Sequence, residues 1–404
     1  MDVAWFGVLS GTTISFLTIY ATRLGASSEQ IGFVNAGPAV VNLILALPVG
    51  IWLRTWPIAR AVSISGLVQR FFYLAFAILP ILLFPQGQIW AIILITFIMS
   101  FPGTGIAVGF NELFAESVPP EWLGQLLGVR NAILSIGTVV SSLIAGQILT
   151  RIQFPLNYQV VFTIGFLGAM LSCVHIWFIR PIYTEGDPEN LEKTSAMIVS
   201  GSHNDSPKKV FSWFSSWTVG LPLAVLKKRY GIVILLLFFF HFSQYIAIPV
   251  FPIYTVNIIH LSDQVLSIGT GVFNLTVFLG STQFLWLSKK FGNRSLMGIG
   301  VILLSLYPGL IAISRGAELY FLASFIGGFA WSLVGCALFN YLLENVPTID
   351  RAASLSWYTL VFNAAVLLGS FIGPATLNLM SPGSALAVFA VMRFLAGLAI
   401  LRWG

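Results

Sequence analysis

The sequence predicts an all-α membrane protein with twelve transmembrane helices in two pseudo-symmetric six-helix bundles. Three observations carry that prediction. First, of 404 residues 57% are hydrophobic and only 8% charged, where a soluble domain carries roughly 25% charged residues, and the mean hydropathy is +0.91. Second, the apolar residues form long continuous runs rather than alternating, which excludes a β-barrel. Third, the runs fall into two sets of six divided by one long polar segment, and the two sets share sequence. The same composition excludes an ordinary soluble enzyme, a disordered chain and a nucleic-acid binder. The net charge of +6 is too thinly spread for a nucleic-acid footprint and suits basic loops on one membrane face. Cys173 and Cys336 both sit inside apolar runs, so no disulfide framework is expected.

A spanning helix needs about 20 mostly apolar residues. Runs of that kind predict helices at 4–22, 30–53, 61–84, 88–112, 124–149 and 157–179, then at 230–257, 264–288, 295–314, 318–343, 352–377 and 384–403. The first reads as a retained helix rather than a signal peptide, because Asp2 is the only charge before it and no small-residue cleavage site follows. That abrupt start leaves room for further basic residues ahead of Met1. Short turns rich in Pro, Gly and Asn join most neighbours, so adjacent spans are expected to be antiparallel.

Fourteen of the twenty Lys and Arg fall on the side of the chain termini, among them Arg54, Arg60, Lys289, Lys290, Arg294 and Arg402. Arg23, Arg151 and Arg315 fall on the other. This asymmetry predicts that both termini are cytoplasmic in an integral plasma (cytoplasmic) membrane protein. The one long polar segment, 181–229, pairs an acidic run with Lys208-Lys209-Val-Phe-Ser-Trp-Phe. It is expected to be a cytoplasmic linker with an amphipathic, interfacial stretch that touches anionic lipid. The expected domains are therefore 1–180, this linker, and 230–404.

The halves match in two places. Ile19-Tyr20 and Ser28-Glu29-Gln30 correspond to Ile253-Tyr254 and Ser262-Asp263-Gln264 at an offset of 234, and Phe110-Asn111…Val118-Pro119 to Phe339-Asn340…Val346-Pro347. After span eight the chain reads Leu287-Ser-Lys-Lys-Phe-Gly292-Asn-Arg294, and between spans four and five Val118-Pro119-Pro120-Glu121-Trp122-Leu123-Gly124. With these loops and the repeat, the chain resembles the major facilitator superfamily over essentially its whole length. Departures are visible: Lys289 stands where Asp is usual, the loop after span two (Gly50 to Arg60) is a poor copy, and the Gly-Pro motif expected in span five is displaced to Gly373-Pro374 in span eleven. The missing acidic residues argue against proton-coupled drug export.

The resemblance implies secondary transport of a small solute by alternating access, with the substrate near the membrane midplane between the halves and the monomer as the functional unit; a non-transporting membrane sensor or scaffold on the same fold is the alternative. It also implies that spans one, four, seven and ten line the cavity, so their mid-span polar and aromatic groups are the substrate-binding candidates. These are His241, Gln244, Tyr245, Trp331, Thr13 and Thr104, to which spans eight and eleven add Asn274 and Asn363. His241 is the one among them that titrates near neutral pH, and packing roles compete with binding for each. Glu112, Glu116, Arg130, Lys289, Lys290, Arg294 and Glu344 cluster at the cytoplasmic ends and are read as a gate, with Arg130 placed to pair with Glu112 or Glu116. Arg70 and Arg393 lie mid-span without an acidic partner in sequence. Either they attract an anionic solute or they cap carbonyls and snorkel, the resemblance placing spans three and twelve on the outside. Three Gly-xxx-Gly pairs, Gly7/Gly11, Gly105/Gly109 and Gly369/Gly373, suit close helix approach. No P-loop, metal-ligand spacing or Ser-His-Asp arrangement is present, so neither a cofactor nor an enzymatic activity is expected.

Overall fold

A computed structural model describes residues 1–53, 56–117, 120–179, 226, 229–346 and 351–404, apart from the side chains of 47, 51, 111, 112, 114–116, 120–127 and 351–353. The linker expected at 181–229 lies almost wholly outside these residues, as do the side chains of Glu112 and Glu116. Among the described residues there are twelve long helices and no strand. They are α1 (Asp2–Arg23), α2 (Ser28–Leu53), α3 (Ile58–Leu82), α4 (Pro85–Glu116), α5 (Pro120–Arg151) and α6 (Leu156–Trp177). Then follow α7 (Arg229–Ile258), α8 (Asp263–Phe291), α9 (Asn293–Ile313), α10 (Ala317–Asn345), α11 (Arg351–Thr376) and α12 (Pro382–Trp403). They run 21 to 32 residues, and eleven have the length and composition of membrane spans. The twelfth, α2, has 26 residues. The spans expected from apolar runs agree to within a few residues.

Starts and stops follow local chemistry. The Ser262 hydroxyl accepts from Val265 N and caps α8, and Ser381 caps α12 the same way with Pro382 as its first residue. Gly292, at φ 76°, turns the chain between α8 and α9, a conformation that costs a residue with a Cβ more than glycine.

The helices pack in two groups. In the first, α1 lies against α5 and α6, and α3 and α4 against each other and against α6 and α2 respectively. In the second, α9 packs on α10 and α12, α8 on α10, and α7 on α11 and α12. Three seams join the groups: α5 with α8, α2 with α11, and the ends of α1 and α7. Because successive helices alternate in direction, both termini emerge at one end, here the terminal face; the opposite end is the far face.

Two helices depart from regular geometry at matching places. α1 contains a π-helical turn, Ser10–Ile14. α7 is interrupted after Tyr245 and resumes at Val250. At the repeat offset of 234, Ser10–Ile14 falls on 244–248. The α7 interruption was not anticipated in the apolar run, yet its cause is in the sequence. Pro249 has no N–H to return to Tyr245, and Pro252 none for Ile248. α11 crosses α7 at this point because Gly369 and Gly373 have no side chain; a Cβ on Gly373 would overlap the Ile246 carbonyl oxygen.

Candidate functional site

The cross-group contacts resolved at side-chain level, among the described residues, all lie toward the far face. Arg23 Nη2 donates to Asp263 Oδ1 at 3.0 Å and to the Leu261 carbonyl at 2.6 Å, while its Nε reaches the same carboxylate at 3.1 Å. This is the one ion pair among the described residues. The Ser267 hydroxyl donates to the Ser142 carbonyl, and Ser267 fits there because Gly146 leaves room for it. On the other seam Gly32 rests on the Ser370 carbonyl, and Phe33 meets Phe371 edge-on with ring centroids 5.6 Å apart. The halves are thus latched at one end.

Deeper in the second half lies a cavity of about 290 Å³. Its walls come from α7 (Gln244, Phe251), α8 (Gly269, Thr270, Phe273, Asn274), α9 (Leu304, Tyr307), α10 (Tyr320, Ser324, Trp331) and α12 (Arg393). Trp331 is 37% exposed and stands at the open side, whereas Arg393, 1% exposed, forms the buried wall. The α7 interruption explains how a guanidinium is tolerated there. The carbonyls of Ser243 and Gln244, at the end of the first α7 stretch, accept from Arg393 Nη2 at 2.9 and 3.4 Å, and Leu304 O accepts from Nη1 at 3.3 Å. A mid-membrane cation is costly unless its donors are satisfied, and freed carbonyls satisfy them. Two polar atoms remain without a partner, Arg393 Nε and Gln244 Oε1.

The substrate-binding candidates separate. Gln244, Asn274 and Trp331 come together on the cavity. Asn274 Nδ2 also donates back to Thr270 O at 2.9 Å. His241 and Tyr245 face α11 instead: His241 Nε2 lies 3.1 Å from the Tyr358 hydroxyl, and the Phe362 ring stands edge-on to both His241 and Tyr245. Asn363 is buried on α11 and donates to Thr359 O. Thr104 donates to Asn42 Oδ1 at 2.8 Å, tying α4 to α2. Thr13 is buried in the first half, with its hydroxyl beside Gly165 of α6.

The gate candidates lie at the terminal face without a cross-group contact among the described residues. Arg130 places its guanidinium 4.6 Å from the Phe110 ring centroid, a cation–π arrangement; its expected pairing with Glu112 or Glu116 lies outside the described residues, because the side chains of both acids do. Lys289 is exposed, and Lys290 lies over Trp286 at 5.1 Å. Arg294 donates to the carbonyls of Ile400 and Leu401 at the end of α12. Glu344 accepts from Asn293 Nδ2 at 2.6 Å.

Three features escaped the sequence reading. Tyr307, Tyr320, Ser324 and Thr270 line the cavity from helices whose buried faces the apolar runs do not reveal. Arg393 was visible as a mid-span cation, but only packing shows that it points to α7 rather than to lipid. The Arg23–Asp263 pair had a signal: the two residues sit in or beside the repeated loop segments, which the pseudo-twofold brings together with opposite charge.

The model of the Major Facilitator Superfamily matches residues 4–240 and 233–404. The chain belongs to the major facilitator superfamily. It is a multi-pass membrane protein with a transporter fold, and family and fold both point to a transporter rather than an enzyme. Solved structures agree on the fold. The D-xylose-proton symporter superposes with a TM-score of 0.71 at 16% identity, covering 100% of this chain and 95% of that one. The xylose transporter XylE from E. coli, in an inward open conformation, gives 0.69 at 16% identity over 100% and 94%. The nucleoside transporter NupG gives 0.67 at 13% identity over 99% and 96%. No curated protein matches the sequence.

Proposed function

We propose that this protein carries a small solute across the membrane by alternating access, with residues 1–180 and 230–404 rocking against each other as two domains. The observation that carries the reading is the one-sided closure. Every side-chain contact between the halves described above lies toward the far face, while Gln244, Asn274 and Trp331 gather at mid-depth below it. With the termini cytoplasmic, as the distribution of Lys and Arg favours, this arrangement is inward-open. Arg23, Asp263 and Leu261 would then form the outer latch, and Arg130, Arg294, Glu344 and their neighbours would close the opposite face in the other state. The exposed Lys289 and Lys290 beside Trp286 suit contact with anionic headgroups of the plasma membrane. The monomer is the proposed unit, since each half of the carrier is supplied by one chain.

The test uses protein reconstituted into vesicles and radiolabelled xylose, uridine, dialanine and lactate, which cover a sugar, a nucleoside, a dipeptide and an organic acid. At least one is expected to show counterflow. The double variant Arg23→Cys/Asp263→Cys, oxidised to a disulfide, is expected to abolish that flux and to recover it on reduction. Flux that persists through the cross-linked latch would refute alternating access. Failure of every solute to cross would favour the non-transporting sensor or scaffold.

A further inference from the structure

Arg393 is the least exposed charged side chain among the described residues of the second half, and the oxygens it touches are backbone carbonyls that carry no formal charge. Among the described residues, no Asp or Glu lines the cavity it borders. Its Nε–H has no acceptor, and the side-chain oxygen of Gln244, which lines the same cavity, has no donor. An unsatisfied buried donor and an unsatisfied buried acceptor are each costly to leave unmade. The surplus positive charge makes the acceptor on a ligand far better used if it is anionic. Around these two atoms stand the rings of Phe251, Phe273, Tyr307 and Trp331, which suit a compact carbon skeleton. The volume, about 290 Å³, lies at the lower edge of ligand pockets, which span ~300–1,000 Å³.

We propose that this cavity binds a small hydroxy-carboxylate, the carboxylate accepting from Arg393 and the hydroxyl donating to Gln244. The proposal rests on the carrier reading above and names the class of solute for it. An uncharged sugar or alcohol would fill the same space but leave the guanidinium without a counter-charge. A carboxylate lacking the hydroxyl would leave Gln244 unpaired.

The experiment measures binding to the purified protein, as Kd and as a shift in thermal midpoint. The probes are lactate, gluconate and salicylate, each beside an uncharged counterpart: lactamide, sorbitol and salicylamide. At least one acid is expected to bind, with its counterpart weaker by about tenfold or more. Arg393→Met is expected to erase that preference. Because Arg393 also holds the α7 carbonyls, this variant can lose its fold, so Gln244→Leu provides a second readout. There the preference for acid over amide is expected to persist, while the advantage of salicylate over benzoate disappears. Equal binding of acids and counterparts, an acid preference unchanged in folded Arg393→Met, or no binding by any of the three acids would overturn the proposal. If an uncharged solute nevertheless crosses vesicles, the carrier reading stands without this site. If an acid binds through Arg393 but never crosses, the site stands and the carrier reading falls.

Discussion

The two halves bury one arginine each near mid-depth and handle it differently. In the first half Arg70 of α3 is 5% exposed, with Cys173, Tyr73 and Asp2 as its electrostatic neighbours and its Nη1 without a partner. In the second half Arg393 of α12 is held by three carbonyls that the α7 interruption and α9 offer. The cores differ in the same way. A large cluster runs through the far two-thirds of the first half, from Leu9 and Phe16 through Tyr158 to Ala169, with a small separate one of Val62, Leu113 and Ile176 toward the terminal face. The second half has two clusters, one built on Tyr230–Phe240 and one on Ile246–Leu266. They part where Gln244, Tyr307, Ser324 and Arg393 lie. A helix interruption therefore does two jobs at once: it frees carbonyls for a cation and it divides the core so that a cavity remains. The π-helical turn in α1 keeps its chain helical, and the large first-half cluster runs past it from Leu9 to Phe16 and Leu17.

The largest test of this contrast is steric. In Gly373→Ala the new methyl overlaps the Ile246 carbonyl on the interrupted helix, and a loss of about 3 kcal/mol is expected from that overpacking. In Gly7→Ala the methyl stands 3.0 Å from Gly137 Cα, on the uninterrupted α1. There the strain is offset by the helix propensity of Ala, about 1 kcal/mol, leaving the variant near neutral. Unfolding of both variants in detergent, followed by circular dichroism, reads the difference; equal losses would show that the α7 crossing is no tighter than the rest.

Next come the arginines. Arg393→Met gives up charge-assisted hydrogen bonds and leaves freed carbonyls bare, so a loss of about 2 kcal/mol is expected. Arg70→Met removes a poorly partnered buried charge and is expected to be neutral or stabilising. The same unfolding assay decides, and a reversed order would break the comparison.

The latch effect is smaller. The side chains of Arg23 and Asp263 are 28% and 16% exposed, so solvent screening limits the pair to about 1 kcal/mol or less. Arg23→Ala, Asp263→Ala and the double variant should show a coupling of that size in a double-mutant cycle. Labelling of a cysteine at Ser370 from the far face should rise severalfold in each. Smallest of all, Tyr358→Phe removes one hydrogen bond to His241, for about 1 kcal/mol or less, and is expected to leave solute binding unchanged, whereas Gln244→Ala should weaken it.

Much of this architecture was legible before any coordinates. Continuous apolar runs of about 20 residues marked the helices, because the membrane leaves backbone groups no partner but their own helix. The duplicated Tyr20 and Tyr254 segments revealed the two halves. The glycine pairs were readable as close approaches, since a missing side chain is a local fact. The site was legible only in part. Gln244, Asn274 and Trp331 could be chosen for depth and polarity, but His241 and Tyr245, one turn apart on the regular stretch of α7, both meet Phe362 of α11, while Gln244, about 100° round the helix from Tyr245, reaches the cavity. Assigning all three to one face overlooked that step, and only packing shows which neighbour each side meets. The Phe110 ring beside the Arg130 guanidinium was not legible in the sequence, because two residues twenty apart on different helices meet only through packing.

Composition and periodicity alone determined the membrane class, the number and order of spans, the internal repeat and the basic side, because those properties depend on how each segment meets lipid, water and its own backbone. Tertiary structure decided which mid-span groups meet. Burial of Arg393 against α7, closure at the far face through Arg23 and Asp263, and a cavity opening between the two core clusters of the second half all depend on how one helix rotates and crosses against another. Those rotations are set by the summed packing of many side chains, and no single segment of the sequence encodes them.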